Sequence, residues 1–109
     1  MGPGLGCIHV VGDGNRIIDN YVGFSEELFP ESPADQASLS ISGNYNLVRR
    51  NRTINSVMNG IVVRGTGNDI RHNTALENSP FDLRDTNGDC AHNTWKFDTF
   101  KTADPECIQ

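Results

Sequence analysis

Arginine and histidine side chains recur at corresponding positions of short segments that each end in asparagine. Arg49 and Arg71 stand two residues before the final asparagine of their segments, and Arg50, His72 and His92 stand one residue before it. If the segments stack in register as strands, about 4.8 Å apart, the arginines form a column. A guanidinium holds a carboxylate through two parallel hydrogen bonds. We therefore predict that these five residues bind an acidic sugar chain.

An ordinary solvated surface explains the same arginines without a ligand. Stacked like charges repel each other unless acidic groups lie between them. Asp69, Asp82 and Asp85 are near enough in the sequence to neutralise the arginines. Both interpretations stay open from the sequence alone.

Other residue types with chemical potential do not form a convincing catalytic site. Cys7 and His9 alternate onto one face, as a nucleophile and its base would, but nothing nearby in the sequence orients the histidine. The chain has no nucleotide-binding glycine loop, no Gly-x-Ser-x-Gly and no His-Glu-x-x-His motif. We assign no catalytic residue and expect neither a cofactor nor a metal.

A repeat organises the chain and must position these side chains. Each segment has an apolar residue three positions before its final asparagine, and a second alternating apolar run lies upstream. Measured at the final asparagine or at the second apolar residue of the upstream run, the successive spacings are 31, 22 and 20 residues. The segments are 15–20, 46–51, 68–73 and 88–93.

Each period holds two or three short strands joined by glycine and asparagine turns. Alternation at period two places the apolar side chains on one face. One repeat cannot bury that face alone, whereas stacked copies build a continuous core. The period of about 22 residues therefore predicts an all-β fold, a right-handed parallel β-helix of about four coils.

The repeated asparagines are predicted to form an internal ladder. At a coil corner an asparagine tolerates left-handed backbone geometry and can hydrogen-bond the asparagine of the next coil. The alternative is that each asparagine ends a turn at the surface. The predicted ladder residues are Asn20, Asn51, Asn73 and Asn93.

Residues 1–109 are predicted to form one domain with two departures from the repeat. The first period is long, which indicates a loop excursion at about 24–37, and an aromatic-rich unit at about 94–109 closes the last coil, with Trp95 packed in its core.

Three cysteines cannot all pair within one chain. Cys90 and Cys107 flank the terminal unit and are predicted to lie close enough to bond, although all three cysteines can equally stay reduced.

Composition excludes two classes of partner. The chain of 109 residues has a net charge of −5 and nine scattered basic residues, which argues against nucleic-acid binding. No stretch approaches 18 consecutive apolar residues, so no transmembrane helix is expected. The first residues have neither the basic region nor the apolar region of a secretory signal.

The segments GNRIIDN, GIVVRGTGNDIRHN and CAHNTWKFDTFKTADPECIQ resemble the pectate-lyase-like, right-handed parallel β-helix proteins, in particular secreted bacterial members. The resemblance covers roughly residues 7–109 and implies a secreted protein, although this chain is shorter than most members. Family enzymes that eliminate uronates use an arginine or lysine base beside calcium-binding acids, and no column of three carboxylates is evident here. The residues that match the family's final coil are Cys90, Asn93, Trp95, Asp98, Phe100, Pro105, Cys107 and Ile108.

The family includes lyases, epimerases, hydrolases and adhesins, so the resemblance alone assigns no activity. We expect a non-catalytic binding or assembly module for an acidic polysaccharide. The alternative is a polysaccharide-active enzyme whose site is completed by oligomerisation.

A homo-oligomer, in its simplest form a dimer, is expected through the N-terminal coil, where Ile8 and Val10 begin the stack. Leu28 and Phe29 would join that contact or fold back over a monomer.

Overall fold

The computed structural model describes residues 8–23, 37–56 and 58–108, which contain short strands and no helix. The strands are short because glycine and asparagine turns interrupt the apolar alternation every few residues. They are β1 (Ile8–Val11), β2 (Arg16–Ile18), β3 (Tyr21–Gly23), β4 (Ala37–Ser42), β5 (Leu47–Arg49), β6 (Arg52–Ile54), β7 (Asn59–Arg64), β8 (Asp69–Arg71), β9 (Thr74–Leu76), β10 (Leu83–Asp85), β11 (Thr94–Lys96), β12 (Thr99–Phe100) and β13 (Ala103–Asp104).

Three parallel sheets wind these strands into a β-solenoid. The first sheet has the order β1-β4-β7-β10-β13, the second β2-β5-β8-β11 and the third β3-β6-β9-β12. Each coil gives one strand to each sheet, and β4 to β13 complete about three turns. The predicted fold class is confirmed, with slightly fewer complete turns than expected. The loop excursion predicted after the first coil lies, apart from Ala37, outside the described residues.

Aliphatic side chains from stacked positions fill the inside of the coils. Leu39 and Ile41 of β4 pair in register with Ile61 and Val63 of β7, and all four are completely buried. Each such side chain stabilises the fold by about 1.5–3 kcal/mol, so burial between coils is the main source of stability. The same cluster includes Ile17, Val48, Ile70, Ala75, Leu83, Trp95 and Ile108.

The last coil has a different register from the one that the repeat predicted. Leu83 pairs with Ile61, two residues earlier than expected, and Trp95 pairs with Ile70. Ile61 and Ile70 are nine residues apart, whereas Leu83 and Trp95 are twelve apart. The turn between β10 and β11 is therefore three residues longer than its counterpart, and the predicted final spacing of 20 residues was wrong in both places where it was measured.

An internal ladder runs along the corner that follows the second sheet. Asn20 Nδ2 donates to Asn51 Oδ1 at 3.0 Å, and Asn51 Nδ2 donates to Asn73 Oδ1 at 3.1 Å. Asn73 Nδ2 donates in turn to Asp98 Oδ1 at 3.0 Å. The last member is therefore Asp98, and the assignment of Asn93 to this ladder was wrong because of the changed register.

A second ladder, at the corner that precedes the second sheet, contains Asn93. Asn46 Nδ2 donates to Asn68 Oδ1 at 3.0 Å, and Asn68 Nδ2 donates to Asn93 Oδ1 at 2.9 Å. Asn93 Nδ2 then donates to Asp85 Oδ2 at 3.0 Å. The sequence analysis missed this ladder, although Asn46 and Asn68 begin two of the repeated segments.

A third, shorter ladder shows the same ending. The Ser56 amide donates to Asn78 Oδ1 at 3.1 Å, and Asn78 Nδ2 donates to Asp82 Oδ1 at 3.0 Å. Each ladder thus ends on an aspartate, Asp82, Asp85 or Asp98. A ladder end must accept hydrogen bonds without donating further, which suits a carboxylate.

Candidate binding surface

Cationic side chains lie in one column on the outer face of the second sheet. Arg49 of β5 pairs in register with Arg71 of β8, and Arg71 pairs with Lys96 of β11. Successive strands are about 4.8 Å apart, so three cations follow one another along the solenoid axis. We call Arg49, Arg71 and Lys96 the basic column. The sequence analysis brought the two arginines together but missed Lys96, because the last coil was aligned wrongly.

The column is only partly neutralised. Arg71 Nε lies 2.6 Å from Asp69 Oδ1, and Asp69 is in the neighbouring column of the same sheet. Among the described residues Arg49 and Lys96 have no ion-pair partner, and both are exposed. Of the aspartates proposed as neutralising groups, Asp82 and Asp85 are instead buried at the ladder ends. Within the described part of the chain, neutralisation by a neighbouring acid is therefore seen for Arg71 and not for Arg49 or Lys96.

Arg50 and His72 lie together at the corner after the second sheet, each directly after a member of the basic column. Arg50 makes a two-pronged ion pair with Asp19, at 2.8 and 3.1 Å. His72 stacks on Phe97 with ring centroids 5.1 Å apart and an interplanar angle of 16°. Arg50 is thus already paired, whereas the His72–Phe97 pair borders the column with an aromatic surface.

His92 is not at that corner, and this part of the predicted site was wrong. Its carbonyl accepts a hydrogen bond from the Gly67 amide, which places it at the opposite border of the second sheet. Its Nδ1 lies 2.8 Å from Asp89 Oδ1. The hydrogen bonds from His92 and from the Ala91 amide lower the pKa of Asp89. The longer turn before β11 moves His92 away from Arg50 and His72.

Exposed aromatic rings lie at both borders of the second sheet. Phe97 is 68% exposed at the corner after the sheet, and Tyr45 is 74% exposed at the corner before it. The Tyr45 ring lies over Gly67, where an added Cβ would come within 2.6 Å of it. Beyond the Phe97 corner, the Arg52 guanidinium lies 5.6 Å from the centroid of the Tyr21 ring. The sequence analysis did not identify these rings, because their position depends on the fold of the corners.

Four non-glycine residues at one corner adopt left-handed backbone conformations. Asp19, Arg50, His72 and Phe97 have φ between 54° and 60°, and each directly precedes a member of the first ladder. Such values are uncommon outside glycine. The ladder hydrogen bonds fix the corner from inside, so the side chains at these positions project outward beside the basic column.

The C-terminal end of the solenoid is closed by a disulfide. Cys90 and Cys107 are bonded with their Cα atoms 6.1 Å apart, and Ile108 is buried in the core cluster. Trp95 is 5% exposed, and its Nε1 donates to Asp85 Oδ2 at 3.0 Å. Trp95 is therefore a core residue with a hydrogen-bonded indole. Cys7, considered with His9 as a reactive pair, lies outside the described residues.

One buried carboxylate is only half satisfied. Asp98 Oδ1 accepts hydrogen bonds from the Asn73 amide and from its side chain, whereas Oδ2 is buried without a partner among the described residues. Burial raises the pKa of Asp98 to about 7, and the bonds from Asn73 oppose that rise.

No group of three histidine, cysteine or acidic side chains that could hold a metal is found in residues 8–23, 37–56 and 58–108.

Comparisons with protein-family models, with curated proteins and with solved structures give no match. The β-solenoid is therefore established by the structure of this chain itself, and the pectate-lyase-like resemblance rests on the sequence segments alone. In the described part of the chain no helix has the length and apolar character needed to cross a membrane.

Proposed function

We propose that the chain is a non-catalytic module that binds an acidic polysaccharide along the outer face of the second sheet. The observation that carries this proposal is the basic column, in which Arg49, Arg71 and Lys96 occupy successive coils. A linear polyanion presents carboxylates at regular intervals, and a regular row of cations matches it. Arg49 and Lys96 have no ion pair among the described residues, so a ligand carboxylate need not displace one there.

The two borders of the second sheet favour a sugar polymer as the ligand. Exposed apolar surface beside polar groups is typical of ligand-binding grooves, and Tyr45 and Phe97 supply it on the two sides. Aromatic faces pack against the apolar faces of sugar rings, while the cations hold carboxylates. The resemblance to pectate-lyase-like proteins supports the same ligand class and suggests a secreted protein.

Affinity electrophoresis in gels containing a polyuronate tests this function. We expect the Arg49→Ala/Arg71→Ala variant to bind about tenfold or more weakly, because each lost charged hydrogen bond costs about 1.5–3 kcal/mol. The matched control is Arg84→Ala/Lys101→Ala, which removes the same charge from residues outside the second sheet. Wild-type binding should weaken as salt is added.

Equal retardation of the two double variants would contradict binding at the basic column. Release of unsaturated or shortened sugars during the same incubation would instead support the enzyme alternative.

We also propose self-association through the first coil. Ile8 and Val10 are only half-buried, although their register partners Leu39 and Ile41 are completely buried. The same coil carries Val11, which is 72% exposed. A second copy packed against this end would bury these apolar groups, and a two-fold arrangement closes without further growth.

A further inference from the structure

A cavity of about 220 Å³ lies at the C-terminal end of the basic column. It is smaller than the roughly 300–1,000 Å³ of pockets that enclose drug-sized ligands, so it suits one sugar unit. It adjoins β11, the last strand of the second sheet in the described part of the chain. Its lining residues are Cys90, Asn93, Thr94, Trp95, Lys96 and Cys107.

The free edge of β11 supplies backbone groups to the cavity. The Thr94 amide donates to the Asn68 carbonyl at 2.9 Å, and the Lys96 carbonyl accepts from the His72 amide at 3.2 Å, so both residues face β8. In a parallel sheet, consecutive residues direct their N–H and C=O groups to opposite edges. The N–H and C=O of Trp95 therefore point away from β8, toward the cavity.

Two side chains add polar groups that have no partner among the described residues, the Lys96 ammonium and the Thr94 hydroxyl. The side-chain donors of Asn93 and Trp95 are already used by Asp85. Within residues 8–23, 37–56 and 58–108, the cavity thus offers one cation, one hydroxyl and the N–H and C=O of Trp95 at the edge of β11. This set matches a ligand with a carboxylate and several hydroxyls.

The disulfide is part of the cavity wall. Cys107 is bonded to Cys90, and both line the cavity together with β11. A polymer that follows the basic column past Lys96 reaches this cavity, because Lys96 lines it.

We propose that the cavity binds the terminal uronate of an acidic polysaccharide, so that the module recognises a chain end and not only its interior. This inference rests on the proposed function, since the rest of the polymer would follow the basic column. The Lys96 ammonium holds the terminal carboxylate, and the Thr94 hydroxyl and the Trp95 peptide group bond to the sugar hydroxyls.

The test uses amide chemical shifts of the full chain during titration with a free uronic acid and, separately, with glucose. We expect the uronic acid to shift the amides of residues 93–96 before those of Arg49 and Arg71, and glucose to shift them less. Thr94→Trp, which places a ring at the cavity mouth, should weaken uronic acid binding by about tenfold or more. The matched control is Thr99→Trp, at the first position of the edge strand of the third sheet.

The two proposals fail separately. Equal uronic acid affinity in Thr94→Trp and Thr99→Trp, or no shift in the amides of residues 93–96, would overturn the cavity as a binding site for the chain end. The proposed function would still stand if Arg49→Ala/Arg71→Ala lost its binding to the polymer. If the cavity binds the uronic acid but Arg49→Ala/Arg71→Ala still binds the polymer as the wild type does, the basic column is not the surface that binds the polymer. Shifts of equal size along β5, β8 and β11 would also overturn end recognition.

Discussion

The ladder asparagines act as donors and acceptors at once, which no other residue of the same shape can do. Asn73 Oδ1 accepts from the Asn51 amide and side chain, at 2.9 and 3.1 Å. Its Nδ2 donates to the Val48 carbonyl and to Asp98 Oδ1, both at 3.0 Å. One side chain therefore links three successive coils, at a position that is 1% exposed.

Replacing Asn73 by Asp should lower the free energy of unfolding by about 3 kcal/mol, since buried acceptors lose their donor. The new carboxylate would also face Asp98 across the ladder. Chemical denaturation at neutral pH measures the loss. Asn55→Asp is the matched control, because Asn55 is exposed and its φ of 58° also suits aspartate. Equal stability of the two variants would contradict the role of the ladder.

Asp98 should make the fold less stable as the pH rises. Burial raises its folded pKa from 3.8 to about 7, so the folded state holds the proton more tightly than the unfolded chain does. The stabilisation by protonation is complete below about pH 4 and is lost as the pH rises to about 7. One pKa unit equals about 1.4 kcal/mol, so the loss is at most about 4 kcal/mol.

Asp98→Asn should remove this part of the pH dependence. Denaturation midpoints at about pH 5 and about pH 8 measure it, because these values lie on either side of the folded pKa. Asp104→Asn is the control, since Asp104 is a half-exposed aspartate at the same end of the solenoid. The same change between the two pH values in wild type and Asp98→Asn would contradict the assignment.

At the scale of strands and coils, the fold was predictable because the repeat is regular. An apolar residue two positions after Asn15, Asn46 and Asn68 falls inside the coil each time, and the paired register of β2, β5 and β8 follows that pattern. The same pattern, Asn93 followed by Trp95, continues into β11. The sequence analysis missed this continuation because it aligned Asn93 with the last asparagine of each segment and not with the first.

The candidate site was less predictable than the fold, because a change in the register of a single coil changes which side chains are neighbours. The correct alignment brings Lys96 to Arg71 and moves His92 to the other border of the sheet. The alternation of apolar residues in the strands does not show that a turn is three residues longer. It does not reveal exposed rings such as Tyr45 either, because corner residues are not part of the alternation.

The disulfide should stabilise the last coil. It closes a loop over a sequence separation of 17 residues, for which loss of unfolded-state entropy gives on the order of 3 kcal/mol. Thermal unfolding with and without a reductant should show a lower midpoint after reduction. Cys90→Ala/Cys107→Ala should unfold at the reduced midpoint in both conditions. Identical midpoints for oxidised and reduced wild type would contradict this contribution.

For the whole molecule, charge is distributed unevenly around the solenoid. The net charge is −5, but five of the nine basic residues lie on the second sheet or at the corner directly after it, Arg16, Arg49, Arg50, Arg71 and Lys96. Composition alone indicated an acidic protein without a cationic surface. Winding the chain into coils places basic residues that are 20 to 30 positions apart next to each other.

The two ends of the described solenoid also differ. At one end β1, β2 and β3 are edge strands, and the inward residues Ile8 and Val10 are only half-buried. At the other end the disulfide and the buried Ile108 close the coil. Edge strands combined with apolar surface favour association, so the first coil is where we expect two copies to meet.

Light scattering after size exclusion, at micromolar concentration, should therefore give the mass of two chains. Val11→Lys should shift the mass to one chain, because it places a charge in the contact without disturbing a buried position. Phe97→Lys is the matched control, since Phe97 is similarly exposed, 68% against 72%, but lies in the last coil. A wild-type mass of one chain would contradict self-association, and equal masses for the two variants would place the contact away from β1.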